Sequence, residues 1–313
     1  MGDDRQLDWY TAMYRVRRVE ETLLDLVRQR EIAGSVHLCI GQEAIPVGAC
    51  AALGPNDPVI ATYRGHGWAL ARGVPLVELL AEALGRDSAL NGGRGGSAYL
   101  SGPQYGFFGE NSIVGAGVPM AMGLALSASF QGADRVPVVS IGDGALNQGV
   151  VHEALNMASV LRAGVIVLVE ANGYAEMTPS DALTAVGAAA RASAYDIEAL
   201  EVDGNDPSDV ARSVSEARTR ARSGRRPVLI EAHTRRLGGH YSGDAQHYRP
   251  AGELEAWRAG DPLTRAAESI GRPDDLEAVR GRVDGEVERA LAKARALPLP
   301  DPSTATDFVY AEG

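Results

Sequence analysis

The chain of 313 residues is 45% hydrophobic and 23% charged, proportions that suit a globular protein with a sizeable core and exclude disorder throughout. Its 41 acidic against 30 basic residues give a formal charge of -11, which disfavours a nucleic-acid partner, and no apolar run approaches the roughly 20 residues that cross a bilayer. Cys39 and Cys50 are too few for a disulfide framework or a zinc site, and the start Met-Gly-Asp-Asp-Arg-Gln lacks the pattern of a secretory signal, so a cytoplasmic location is expected.

In chain order, Trp9, Met13, Val16, Val19, Leu23 and Leu26 recur at steps of three or four, which predicts an amphipathic helix over about 6–30 that Gly34 ends. His37 to Glu43 is irregular and leads into an Ala-rich helix. Pro58 to Ala61 reads as a short buried strand ahead of a loop, Thr62-Tyr63-Arg64-Gly65-His66-Gly67. Asn91 to Ser97 cannot be a stable helix, because each glycine there costs about 1 kcal/mol against alanine, and a mobile or ligand-facing loop is expected. Ile113 to Phe130 is apolar on all sides and rich in Gly and Ala, the pattern of a helix buried in the centre or against a partner. Val136 to Ile141, Gln148 to Leu161 and Val165 to Val169 then give strand, helix and strand, a right-handed βαβ unit in a parallel sheet covered on both faces. Further strands are expected at Glu198 to Val202 and Val228 to Ala232, around a helix from Pro207 to Arg222. His233 to Pro250 is a long Gly-rich loop, functional or disordered, and Glu253 to Leu297 is charged and helical. No linker divides the chain, so the expected organisation is an α/β domain over 1–250, with 251–313 as a helical extension of the same domain. The 37 glycines follow no fixed period, which disfavours a solenoid or propeller.

The strongest chemical signal is Gly142-Asp143-Gly144-Ala145, placed where an apolar strand ends, and open α/β sheets bind ligands at the carboxyl ends of their strands. Glycines there let a phosphate approach backbone N–H groups, whereas an aspartate repels a bare phosphate; a divalent cation between them resolves the conflict. Mg²⁺ takes one or two carboxylates together with phosphate oxygens, which makes Asp143 a candidate ligand. The neighbouring strand is followed by Glu170-Ala171-Asn172-Gly173-Tyr174, and Asn172 follows Asp143 by about the 30 residues that a βαβ unit spends returning to the same edge. A surface Gly-Asp-Gly turn with an ordinary loop asparagine is the competing reading, and the placement after a buried strand argues against it. No Gly-x-Gly-x-x-Gly follows a strand, so nicotinamide binding fits less well.

These residues resemble the α subunits of the two-subunit thiamine-diphosphate-dependent dehydrogenases of 2-oxo acid and acetoin dehydrogenase complexes. Besides Asp143 to Asn172, the likeness rests on His37-Leu38-Cys39 with Gly41-Gln42-Glu43-Ala44, Tyr63 to Gly67, Ile113 to Ala116, Asn147-Gln148-Gly149, Glu153 to Ala158, and Gly239-His240 before Gly243-Asp244. It covers nearly the whole chain, in order. The resemblance implies an α/β thiamine-diphosphate-binding fold, a mostly parallel sheet with helices on both faces. It implies that Asp143, Asn172 and the Tyr174 carbonyl bind Mg²⁺, and that Gly144 and Ala145 contact the diphosphate through their backbone. Tyr63 and Arg64 would hold the diphosphate from the opposite side, and Val114 would touch the aminopyrimidine. His66 and His240 would project into the active site as catalytic imidazoles, a group suited to proton movement near neutral pH; His240 would reach the cofactor from the long loop, which orders when the cofactor binds. The implied reaction cleaves a carbon–carbon bond next to a carbonyl in a small oxo substrate and transfers the acyl unit to a lipoyl carrier. A separate β subunit would supply the glutamate that activates the cofactor, giving an α₂β₂ heterotetramer.

Several positions depart from the family text. Ala171 stands for a second Asn, Gly238 for a His, Tyr241 for a Ser that is phosphorylated in some members, and Tyr99 lies where a His is usual nearby. Glu110 and Glu176 put carboxylates beside cofactor motifs that generally lack them, either as solvated charges or as a change of polarity in the substrate channel. The text around His240, Gly-Gly-His-Tyr-Ser-Gly-Asp, is closer to acetoin-type than to pyruvate-type members. Two other readings stay open. One is transfer of a two-carbon ketol unit from a ketose phosphate, which Arg94, Arg235, Arg236 and Arg249 would favour; the other is a non-catalytic, partner-binding subunit, which the intact Asp143, Asn172, His66 and His240 oppose.

Overall fold

The computed structural model describes residues 2–307 and 309. The first helix, α1 (Gly2–Arg28), buries Met13, Val16, Val19, Leu23 and Leu26 along one face, as their spacing requires. Full burial of each such side chain contributes about 1.5–3 kcal/mol. Three short helices follow: α2 (Ala44–Ala52), α3 (His66–Ala71) and α4 (Leu76–Ala83). The rest are α5 (Gly117–Gln131), α6 (Gly149–Val160), α7 (Ala188–Ser193), α8 (Pro207–Gly224), α9 (Glu253–Arg258), α10 (Pro262–Ile270) and α11 (Pro273–Ala296).

The strands are β1 (Val59–Thr62), β2 (Phe107–Asn111), β3 (Val138–Gly142), β4 (Ile166–Ala171), a small hairpin of β5 (Tyr174–Ala175) and β6 (Thr178–Pro179), β7 (Glu198–Asp203) and β8 (Val228–His233). All but the hairpin join one sheet in the order β2-β1-β3-β4-β8-β7, with every pairing parallel. Successive side chains of β3 and β4 go to opposite faces. Val138, Ile166 and Leu168 pack with α1, α2, α4, α8 and α11, while Val139, Val167 and Val169 pack with α5, α6 and α7. This is the expected α/β architecture with helices on both faces.

Two glycine-rich segments are ordered, one by a buried carboxylate and one by backbone hydrogen bonds. Glu82 of α4 accepts backbone N–H bonds from Asn91 at 3.2 Å, Gly93 at 3.0 Å, Gly95 at 2.6 Å and Gly96 at 3.3 Å, so the 91–97 loop is wound around one acid. The 233–250 segment has no helix or strand past His233, yet it is tied down by Thr234 N–H to the Ala171 carbonyl, Leu237 N–H to Ile40 and Ser242 N–H to Val36. Helix α11 lies against α1 and α4 and shares their core.

Candidate active site

The chain runs outward from β1 to β2, then crosses back over β1 to β3, so strand order reverses between β1 and β3. Connections at such a reversal leave on opposite faces and open a crevice at the strands' carboxyl ends. A cleft of about 460 Å³ lies there. The end of β1 delivers Tyr63 and Arg64 to it, the end of β3 delivers Asp143, Gly144 and Ala145, the end of β4 delivers Asn172 and Tyr174, and Val114 and His240 complete its walls.

Asp143 and Asn172 are buried and fixed by hydrogen bonds. Gly173 takes φ 89°, a conformation open to glycine, and its N–H donates to Asp143 Oδ2 at 3.0 Å beside the Ser180 hydroxyl at 2.6 Å. The Gly144 N–H donates to Asp143 Oδ1 at 2.9 Å. The Asn172 amide is oriented from behind. The Trp68 indole N–H, which can only donate, and the Ser140 hydroxyl bond Glu170 Oε1 at 2.9 and 2.5 Å, and the Gln42 NH₂ group bonds Glu170 Oε2. Gln42 therefore turns its carbonyl to Asn172, whose NH₂ group donates to it at 3.3 Å. The Asn172 oxygen is left facing the other way, where it accepts the Tyr174 N–H at 3.1 Å. One buried acceptor thus sets two amides in turn. Burial pushes the Glu170 carboxyl above its ordinary value in spite of these donors. Tyr174 faces Pro179 across the β5–β6 hairpin, and proline has no N–H to offer the Tyr174 carbonyl.

Positive charge enters from two sides. Arg64 donates to the Leu38 carbonyl and to the His240 carbonyl at 2.9 Å. Arg236 donates to the Glu176 carbonyl at 2.7 Å and the Tyr248 hydroxyl at 2.9 Å, and its Nε has no partner among the described residues. Both guanidiniums are buried and these acceptors are uncharged. Burial, followed by the Arg64 charge, brings Arg236 down to about 10. Burial and then the charges of Arg64 and Arg236 bring His240 down to about 4, so its imidazole is neutral near pH 7. His37, at about 3 for the same reasons, meets the His240 ring edge-on with centroids 4.9 Å apart and lies 4.5 Å from the Tyr63 ring. Asp244 holds the loop that carries His240, accepting the His240 N–H at 2.6 Å, the Tyr248 hydroxyl at 2.7 Å and the Gln246 N–H at 2.8 Å.

His66 lies elsewhere. It is fully buried and does not line the cleft: Nδ1 is 3.0 Å from Glu20 Oε2, and Nε2 is 2.9 Å from Ser97 Oγ and 3.1 Å from the Ser97 carbonyl. Burial opposes its charge, but the Glu20 carboxylate outweighs burial and raises His66 to about 9. An imidazolium with both nitrogens engaged in the interior ties α1 to the 91–97 loop, and the expectation that His66 projects into the active site is not met. His37 takes the place beside His240. Of the four loop arginines that favoured a sugar phosphate, only Arg236 lines the cleft. Arg249 pairs with Glu253 at 2.9 Å, Arg94 donates to Thr304 Oγ1 at 2.7 Å, and Arg235 sits over the Trp257 ring. Glu110 does not line the cleft either; it accepts the N–H groups of Gly65 at 2.8 Å and Leu100 at 3.0 Å, and burial, opposed by His66, raises it to about 7. Glu176 does line it. Sequence reasoning missed Gln42, Glu170 and His37 as parts of the site; the one local signal was a carboxylate, Glu170, closing a wholly apolar strand.

The family model described as Dehydrogenase E1 component matches residues 11–303. The chain belongs to that family. The α subunit of acetoin:2,6-dichlorophenolindophenol oxidoreductase from Bacillus subtilis (strain 168) is 37% identical to it over 99% of this chain and 95% of the relative, and that of Cupriavidus necator is 38% identical over 96% and 92%. The α subunit of the pyruvate dehydrogenase E1 component of Zymomonas mobilis is 36% identical over 97% and 87%. Membership in the E1 family brings thiamine diphosphate as the cofactor, and the cleft fits that group on its own geometry. Gly142 presents to the cleft a position where a Cβ would meet nothing within 4 Å, and Arg64 and Arg236 hold positive charge that uncharged acceptors do not cancel.

Proposed function

We propose that this E1 chain is the α subunit of an α₂β₂ heterotetramer that cleaves the carbon–carbon bond next to a carbonyl, in a 2-oxo acid or acetoin, and passes the acyl unit to a lipoyl carrier. The observation that carries this reading is the pairing, in one cleft at the β1/β3 reversal, of fixed oxygen donors with two guanidiniums whose hydrogen-bond acceptors are carbonyls, a hydroxyl and an imidazole, not carboxylates. Asp143, Asn172 and the Tyr174 carbonyl would hold Mg²⁺, a set of hard oxygens that leaves the octahedron to be completed by phosphate oxygens and water. The Gly144 and Ala145 backbone, Tyr63, Arg64 and Arg236 would hold the diphosphate, and Val114 the aminopyrimidine. Bound thiamine diphosphate supplies the nucleophilic carbon and the electron sink. His240 and His37, both neutral near pH 7, accept and return protons at their ring nitrogens, and His66 acts only by positioning the loops behind them.

A partner subunit fits the surface. Ile113 is 71% exposed, Met120 52%, Phe130 86% and Val160 72%, on α5, α6 and the segment that enters α5. Large apolar side chains left exposed in number mark interaction surfaces, and a β subunit covering them would bring the activating glutamate to the cleft. Among the described residues no helix is long and apolar enough to cross a membrane, and a cytoplasmic site of action belongs to the same reading. The test is to combine the chain with its β subunit, Mg²⁺, thiamine diphosphate and a lipoylated domain, and to weigh the domain after adding pyruvate, branched 2-oxo acids, acetoin or a ketose phosphate. Acyl transfer from one of the first three is expected. Transfer from the ketose phosphate alone, or none at all with cofactor bound, would overturn the reading.

A further inference from the structure

We infer that Glu176 selects the substrate: its carboxylate accepts the hydroxyl of an uncharged hydroxyketone and repels the carboxylate of a 2-oxo acid. The inference rests on the reading of the cleft as the site of cleavage. Glu176 follows β5 in the tight turn to β6, lines the cleft and is exposed. Its φ is 55°, a conformation that glycine, asparagine or aspartate adopts more readily in such a turn. Of the described residues other than glycine at positive φ, it alone lines the cleft. Glutamate is thus a poor residue for the turn itself, and what it adds is a carboxylate in the cleft.

The turn is pinned. The Glu176 carbonyl accepts from Arg236 at 2.7 Å, and Ala175 sits so close to Gly144 that a Cβ there would meet it at 2.5 Å. The side chain differs from the other cleft carboxylate: Asp143 is held by three donors, whereas among the described residues the Glu176 carboxylate has no hydrogen bond or ion pair. A diphosphate matches the charge of Arg64 and Arg236 and leaves Glu176 to face the substrate. Two like charges about 6 Å apart at an effective dielectric near 20 disfavour an anion by a factor on the order of a hundred, while a neutral hydroxyketone meets an acceptor for its O–H.

Wild-type and Glu176→Gln chains, each assembled with the β subunit, are compared in kcat/KM for acetoin and for pyruvate, with thiamine diphosphate affinity measured in parallel by calorimetry. The wild type should prefer acetoin, and Glu176→Gln should lower the acetoin-to-pyruvate ratio by about tenfold or more, chiefly through the KM for pyruvate, with cofactor affinity no weaker than that of the wild type. Glu176→Gly, which makes the turn without strain, should behave like Glu176→Gln, which separates charge from backbone geometry. A wild-type preference for pyruvate, or a ratio that both variants leave unmoved, overturns the inference. A wild-type complex that binds cofactor and cleaves neither compound overturns the reading of the site instead.

Discussion

Two kinds of withdrawn arginine stand in this chain. Arg17 of α1 is surrounded by acids, bonded to Glu43 at 2.5 Å and to both oxygens of Asp261 at 3.0 Å, and although burial opposes its charge, these carboxylates hold its pKa above the ordinary value. Arg236 in the cleft rests on a carbonyl, a hydroxyl and an imidazole, and its pKa falls to about 10. The difference separates a cation that the fold has paired with carboxylates from one held only by neutral groups, which we propose a bound anion neutralises.

Substitution should break the comparison in opposite directions. Arg17→Gln leaves Glu43 buried without its partner and should cost about 3–5 kcal/mol of stability, read from denaturant unfolding, while the folded fraction still binds cofactor. Arg236→Gln should reduce thiamine diphosphate affinity by about tenfold to a hundredfold in calorimetry, with no comparable loss of stability. Equal effects of both changes on both measurements would remove the distinction.

The buried pair of Glu20 and His66 gives a smaller effect with a definite sign. His66 is raised from 6.5 to about 9 in the folded state, so its share of stability is full below about 6.5 and is lost as pH rises through about 9; Glu20 is lowered from 4.5, and its share is lost as pH falls below that value. Thermal unfolding of His66→Gln against pH should therefore show a flatter alkaline limb than the wild type. Smallest of all, the His240 resonance should titrate near 4 in the free chain and move upward when inorganic pyrophosphate is added, because the anion offsets Arg64 and Arg236. A resonance that stays in place would put the anion elsewhere.

Much of this was legible beforehand, and the failures have physical causes. Strands β3, β4 and β8 are buried on both faces and so read as largely apolar runs, which placed Asp143 and Asn172 at strand ends. Strand β2 reads Phe-Phe-Gly-Glu-Asn, an edge strand with a glycine at φ 122° and a carboxylate, and carries no such pattern. Helix α5 is apolar on every side, but composition does not distinguish a core from an interface, and Met120 and Phe130 proved exposed. The 91–97 loop was legible as non-helical but not as ordered, since Glu82 that winds it lies on another element. His66 illustrates the limit most clearly: its motif belongs to the site, yet the partners that draw it inward, Glu20 and Ser97, lie 46 and 31 residues away.

The proposed role of Asp143, in one cleft with Arg64 and Arg236, is to make a metal-diphosphate site. Its most direct test is calorimetric titration of the chain, assembled with its β subunit, with thiamine diphosphate in the presence and absence of Mg²⁺, for wild type and Asp143→Ala. One Mg²⁺-dependent site per chain is expected, abolished by Asp143→Ala without unfolding of the protein. Binding of equal strength in Asp143→Ala, or binding indifferent to Mg²⁺, would contradict it.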